Sequence, residues 1–211
     1  MRQFITDHVS SFLRSIESLG GKVDDLNIER PATETEVSEI EHALGRPLPS
    51  ELRQFASKVS RRVAFGWRLP RNSERPQPLR GVIAGGLDYD LSRIAEHEKG
   101  RARWQSECFR NASDRYDVVW HNKLGFHDVP NGDYLGFDSE GRVIYLSHDD
   151  GQGHGYIMAS SFPDLLTRWV PLGCPGPEDW QWLPFVSGAT SGILPDSENA
   201  KIWLGVIAAR S

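Results

Sequence analysis

Apolar residues recur at helical spacing early in this chain and at every second position further on, and that change of period organises it. Ile5, Val9, Phe12, Ile16 and Leu19 predict a helix from about Phe4 to Leu19, ended by Gly20-Gly21. A second helix is predicted from Thr33. Thr33 and Glu36 have capping-box spacing, in which each side chain satisfies an exposed backbone donor of the first turn. Val37, Ile40 and Leu44 form its apolar stripe. Gly45 suits the left-handed position past its end, and Pro47 and Pro49 prevent continuation. Ser50 opens a third helix with Leu52, Phe55, Ala56 and Val59 inward.

The period then falls to two. Val63, Phe65 and Trp67 alternate with small residues, as a strand does. Arg71 to Pro78 reads as a loop. Leu79 to Ala84 reads as a second strand, broken by Gly85-Gly86, and Leu87, Leu91, Ile94 and Ala95 suggest a helix towards Glu98. From Glu96 to Asn111 only Trp104 and Phe109 are strong anchors, so helix and loop both stay open. Tyr116 to Trp120 alternates and is predicted as a strand, followed by a short one from Leu124 to His127.

Asn131-Gly132 supplies the positive backbone angles of a tight hairpin. Leu135 and Phe137 share one face of the next strand. Ser139-Glu140-Gly141 turns the chain, and Ile144 and Leu146 are read as continuing the core face. A loop from Asp149 to His154 leads to a strand from Gly155 to Ala159. Ser161 then caps a helix with Asp164 in its first turn. Phe162, Leu165, Leu166 and Trp169 are its buried stripe, and Pro171 is its stop. Beyond Pro175, Trp180, Trp182, Leu183 and Phe185 are too apolar to leave in water and should pack back. A last short helix is predicted after Pro195-Asp196, through Ile202, Trp203 and Val206. The whole reads as one α+β domain: helix and linker over 1–30, the main domain over 31–172, and a packed extension over 173–211.

Composition supports a real core. The chain has 211 residues, 38% of them hydrophobic, with seven Trp and nine Phe. Cys108 and Cys174 form no CxxC or metal grid. A reduced, cytoplasmic protein is the simplest reading, with a single bridge between them left open. The first apolar residues are interrupted by Asp7, His8, Ser10, Ser11 and Arg14, unlike a signal peptide. Arg2 and the ending Ala209-Arg210-Ser211 give no lipidation motif, and no window is apolar enough to span a membrane. Charge is unevenly spread: −5 over residues 1–45, +7 over 46–80, zero over 81–127 and −7 over 128–211.

Two segments carry a family resemblance. TETEVSEIEHALGRPLPSELRQFA, residues 33–56, joins an acidic helix to Leu44-Gly45, Leu48-Pro49 and a helix anchored by Phe55. NGDYLGFDSEGRVIYLSHDDG, residues 131–151, runs from a Gly-Asp-led strand through a turn and strand to a His-Asp pair. In this order, over roughly residues 30–170, they resemble the SUKH superfamily of fungal Smi/Knr regulators and related bacterial proteins, and the helix led by Ser161-Phe162 matches the usual closing helix. The stretch Ser60-Arg61-Arg62, the long segment from Arg71 to Asn111 and the tail past Gly173 depart from the pattern. The resemblance implies an α+β fold, with N-terminal helices and a closing helix on a mostly antiparallel sheet. It also implies a noncatalytic binding role: immunity against a cognate toxin, as in many bacterial members, or a regulatory scaffold like the fungal ones.

The residues themselves offer one sharp polar cluster, His148, Asp149, Asp150 and His154. Imidazole and carboxylate suit a transition metal, so a metal-dependent hydrolase on the 148–154 loop is the alternative from another class. No spacing ties further ligands to it, and no metal or cofactor is assigned. Gly151-Gln152-Gly153-His154-Gly155 precedes a strand and lacks GxGxxG spacing, so it is no dinucleotide fingerprint. There is no GxSxG elbow. Asp133 and Asp138 have opposite parity along one strand, which favours turn support over paired catalysis. The basic band of Arg46, Arg53, Lys58, Arg61, Arg62, Arg68, Arg71 and Arg75 has little aromatic interleaving, and the chain is acidic overall. A protein partner therefore suits the band better than nucleic acid. Asp149, Asp150, His154, Asp138 and Glu140, in the acidic C-terminal part, are the expected partner contacts, suited to a basic toxin domain.

Overall fold

The computed structural model describes residues 1–208. The last residues of the 173–211 extension, and the Ala209-Arg210-Ser211 ending considered for lipidation, lie outside the described residues. Local signals set the N-terminal half. Helix α1 (Arg2–Ser18) buries Ile5, Val9, Phe12 and Ile16 as its spacing predicts. Helix α2 (Glu34–Leu44) opens on the complete Thr33–Glu36 capping box and closes at Gly45, which takes φ 65°. Helix α3 (Ser50–Lys58) turns Leu52, Phe55 and Ala56 inward.

The strands form two antiparallel sheets where one sheet was expected. The first orders β1 (Lys22–Ile28), β2 (Arg62–Arg68) and β3 (Ala84–Asp90). The stretch read as a linker before residue 30 is therefore a strand. Strand β1 is an edge with one face covered, and its polar residues are those that face water. Gly85 and Gly86 do not break a strand but lie inside β3. A Cβ on Gly85 would strike the Cys174 carbonyl and the Trp67 ring, and one on Gly86 would strike the Phe65 carbonyl. Leu79–Gly81 is a single 3-10 turn and Leu87 belongs to β3, so the next helix, α4 (Ile94–Glu107), begins later than predicted.

Tyr116 to Trp120 is not a strand. Residues Asp117–Trp120 form the short helix α5, which buries Trp120 and exposes Val118. The second sheet orders β4 (Leu124–Asp128), β5 (Tyr134–Phe137), β6 (Val143–Leu146) and β7 (Ile157–Ala159). In the turn between β4 and β5 only Gly132 takes a positive φ, 101°; Asn131 does not. Register pairs Leu135 with Tyr145 and Phe137 with Val143. Ile144 and Leu146 thus face away from Leu135 and Phe137, not with them. They pack under Trp120 and Phe109, with Trp104 and Tyr116 alongside. This sheet is covered on both faces, so β6 is buried at every position and its alternation is hidden in the sequence.

Helix α6 (Phe162–Trp169) is capped by Ser161, whose hydroxyl accepts the Asp164 N–H. Past it, α7 (Asp179–Trp182) and α8 (Glu198–Ala208) return to the main core. Three indole N–H groups fix this segment: Trp67 donates to the Gly173 carbonyl, Trp203 to Leu172 and Trp169 to Pro175. Trp182, Phe185 and Trp203 are fully buried, whereas Trp180, expected to pack back, stays 45% exposed. The tail also closes two sheet edges. Gly85 bridges Pro175 beside β3, and along β7 Ile157 donates to the Ala189 carbonyl while Ile193 donates to that of Met158. Edge strand β1 carries Asp24 and Asp25 within a register irregularity, the usual protection of an uncovered edge.

Trp203→Ala is expected to destabilise the fold by about 3–5 kcal/mol, the range for deleting a fully buried large aromatic. Urea unfolding measures this. A loss below about 1 kcal/mol would show that the tail lies outside the cooperative core.

Candidate functional site

The hairpin of β5 and β6 places its two ends in different surroundings, and the predicted contact residues divide between them. At one end, Asp138 is buried and accepts bonds from the Glu140 and Arg142 N–H groups and from Arg142 Nε. It is bound into the turn, and exposed Glu140 lies beside it. Asp149, Asp150 and His154 lie at the other end, because antiparallel register sets Tyr134 against Leu146. A single surface containing all five residues is therefore not formed.

The second end is built on Asp133. This carboxylate is 1% exposed and takes four bonds. Oδ1 accepts from His148 N–H at 2.8 Å and its Nδ1 at 2.6 Å, and Oδ2 from Asn131 Nδ2 at 2.8 Å and Tyr145 O–H at 2.6 Å. Burial, with the Asp133 charge beside it, pushes the Tyr145 phenol well above its ordinary range, so it stays a donor. The Tyr145 oxygen in turn accepts the Asp179 N–H, and the Asp179 carboxylate accepts the Gly153 N–H at 2.8 Å. The tail thus holds one side of the 147–154 loop.

Tyr116 and Ser147 hold the other side. The Tyr116 hydroxyl donates to the Ser147 carbonyl and accepts the Asp150 N–H. The Ser147 hydroxyl donates to Asp149 and accepts the Gly151 N–H. Asp150 is held at φ 62°, a left-handed conformation uncommon outside glycine and best tolerated by Asn and Asp. His154 has both ring nitrogens engaged: Nδ1 accepts the Ser147 N–H, so Nε2 carries the proton and donates to the Tyr116 carbonyl. Burial holds His154 below the ordinary histidine range. Its role is to fix the loop from within.

What reaches the surface is narrow and mixed. Asp149 and Asp150 are exposed, and His148 is 22% exposed with its ring 5.1 Å from that of Trp104. Trp104, Tyr116 and Tyr134 are each half-buried around them. Spacing alone could not find this aromatic surround, because α4, α5 and β5 are brought together only by the fold. Asp179 gave no signal either. Asp133 was legible as hairpin support, but not as the centre of the network.

The geometry also bears on the metal reading. Ligand atoms of Asp133, His148 and Asp149 do lie within 4.8 Å of one another. The Asp133 lone pairs are already filled by four donors, however, and His148 Nδ1 is turned onto that carboxylate. The predicted set His148, Asp149, Asp150 and His154 is not assembled, because both His154 nitrogens are spent on backbone. Cys108 and Cys174 are free, and burial raises the Cys174 thiol far from thiolate chemistry. In the basic band, Arg53 faces Glu34 and Glu41, Arg61 faces Glu29 and Glu36, and Arg62 faces Asp88 and Asp90. Three of its members are thus turned onto carboxylates of the fold itself.

Helices on antiparallel strands in this order, with the Ser161-capped helix closing the unit, make the chain a SUKH-type α+β module. It belongs to the SMI1 / KNR4 family (SUKH-1), which matches residues 31–168. The family is generally noncatalytic. None of the curated proteins compared matches the chain. No helix among the described residues is long and apolar enough to cross a membrane.

Two further histidines lie where the sheets meet. His127 Nδ1 donates to the Asp88 carbonyl, joining β4 to β3, and buried His97 places Nδ1 3.3 Å from Asp128. Burial lowers both, against the pull of Asp128, as it lowers His154. A histidine held below its unfolded value of about 6.5 favours the fold while neutral. That stability is present above the unfolded value and is lost as pH falls through the folded ones. The unfolding free energy should therefore drop from about pH 7 to about pH 5, by at most about 1.4 kcal/mol per pH unit for each imidazole. Urea midpoints across this range test it, with a shallower slope expected for His154→Gln. Constant stability would show that the three rings are not held neutral.

Proposed function

We propose that the chain is a stoichiometric protein-binding module that neutralises a cognate bacterial toxin in the cytoplasm. The observation that carries this reading is the clamped 147–154 loop. It presents Asp149 and Asp150 beside half-buried Trp104, Tyr134 and His148. Aromatic anchors next to exposed charge are the composition of an interface centre, and a loop already held in place loses little entropy on binding. Asp149 and Asp150 meet cationic groups of the toxin, while Asp133, Asp179 and His154 keep the loop in shape. Asp138 and Glu140, at the far end of the hairpin, stand outside this patch. Family membership supports a binding role, and the bacterial members it resembles support immunity. A regulatory scaffold is the second reading, supported by the fungal regulators after which the family is named.

Both readings use the same surface, and the neighbouring gene separates them. If the adjacent reading frame encodes a toxin domain, changing Asp149 and Asp150 together to Asn should weaken binding to it by about tenfold or more and flatten the salt dependence. Calorimetric titration over a salt series measures both. Unchanged affinity with no salt dependence would remove this patch from the interface.

A further inference from the structure

A second surface lies where the family-matched region meets the two flanks outside it. Residues Lys22 to Asp24 of β1 and Gly176, Pro177, Glu178, Trp180 and Gln181 of the tail enclose a groove of about 410 Å³ over the ends of β2 and β3, which Pro130 also lines. Two features set it apart. First, it gathers exposed apolar groups. Ile83 is 37% and Trp180 45% exposed, among the few large hydrophobic side chains left in water, and Pro177 lies beside them. The Trp180 indole N–H has no acceptor among the described residues.

Second, Lys22 and Arg68 stand directly opposite one another across the β1–β2 pair. Like charges in this position repel, and a sheet normally avoids them. Both are exposed, and neither has a carboxylate at ion-pair distance among the described residues. Asp24 and Glu178 line the same groove, but Asp24 lies across Gly66 and Glu178 is bonded to Gln181. A carboxylate from outside, set between Lys22 and Arg68, would relieve the repulsion.

We propose that this groove docks an extended segment of a protein partner, with an apolar side chain against Trp180 and Ile83 and an acidic one between Lys22 and Arg68. A proline-bearing extended chain fits such an aromatic floor and can accept the indole N–H through a backbone carbonyl. The surface is separate from the Asp149–Asp150 patch and asks for the opposite charge. It is available only because β1 and α7 accompany the matched region.

The test uses the full chain and a fluorescein-labelled peptide of Leu-Pro-Glu repeats, followed by anisotropy. Its counterparts carry Lys in place of Glu, or Ser in place of Leu. Saturable binding of the Glu peptide is expected, weaker by about tenfold or more for either counterpart and for Trp180→Ala. The double variant Lys22→Glu, Arg68→Glu should instead prefer the Lys peptide. Asp149→Asn with Asp150→Asn should change nothing here, which keeps the two surfaces distinguishable. These positions are exposed, so melting temperatures should hold; if a variant does not fold, the peptide exchanges on the native chain decide. No saturable binding, or equal binding of the Glu and Lys peptides, overturns the proposal. So does self-association by sedimentation that Trp180→Ala abolishes, because the groove would then belong to a second copy of this chain.

Discussion

The Asp133 carboxylate, just before β5, is withdrawn from water and must be satisfied by protein groups. Its four donors come from Asn131 in the β4–β5 turn, from Tyr145 of β6 and, twice, from His148 two residues beyond that strand. A carboxylate so placed would carry a large desolvation cost if any donor were missing, so the turn, the strand register and the His148 side chain are fixed together. Through Tyr145 the constraint passes to Asp179, and from there to the Gly153 backbone. A loop rich in glycine, which alone would sample many shapes, is thereby held in one. The acids it shows are positioned by an acid it hides.

The same linkage explains why the flanks cannot be regarded as appendages. The family match covers 31–168, yet α1, β1, α7 and α8 share the core with it. Trp67, inside the match, bonds to Gly173 outside it, while Phe12 of α1 packs with Trp67 and with Trp203 of α8. The buried aromatic layer runs through all three segments.

Much of this was legible wherever a signal is local. The capping box at Thr33, the glycine after α2 and the Ser161 cap each involve neighbours in sequence, and each stands where its residue types place it. What failed involved partners far away. The polar run Lys22–Ile28 is a strand because β2 pairs with it, and it stays polar because only one of its faces is covered. Gly85-Gly86 continues a strand because another backbone crosses there. The alternation of Tyr116, Val118 and Trp120 was too short to fix a period, and the docking of Trp120 under β6 selected a helix. For the candidate site, the His148-Asp149-Asp150 loop could be read from its letters. Its aromatic surround and its tether to Asp179 could not, because α4, α5 and α7 reach it only through tertiary packing.

The way the tail borders the sheets has a bearing on handling and on turnover. Beside β3 and along β7, bonding positions that would otherwise invite a foreign strand are occupied by the chain's own residues. A proteolytic cut near Gly173 that released the tail would uncover these borders together with a layer of tryptophan. The remnant would be a self-adhesive species prone to precipitation, so nicked material would leave solution and not persist as a shortened, working domain.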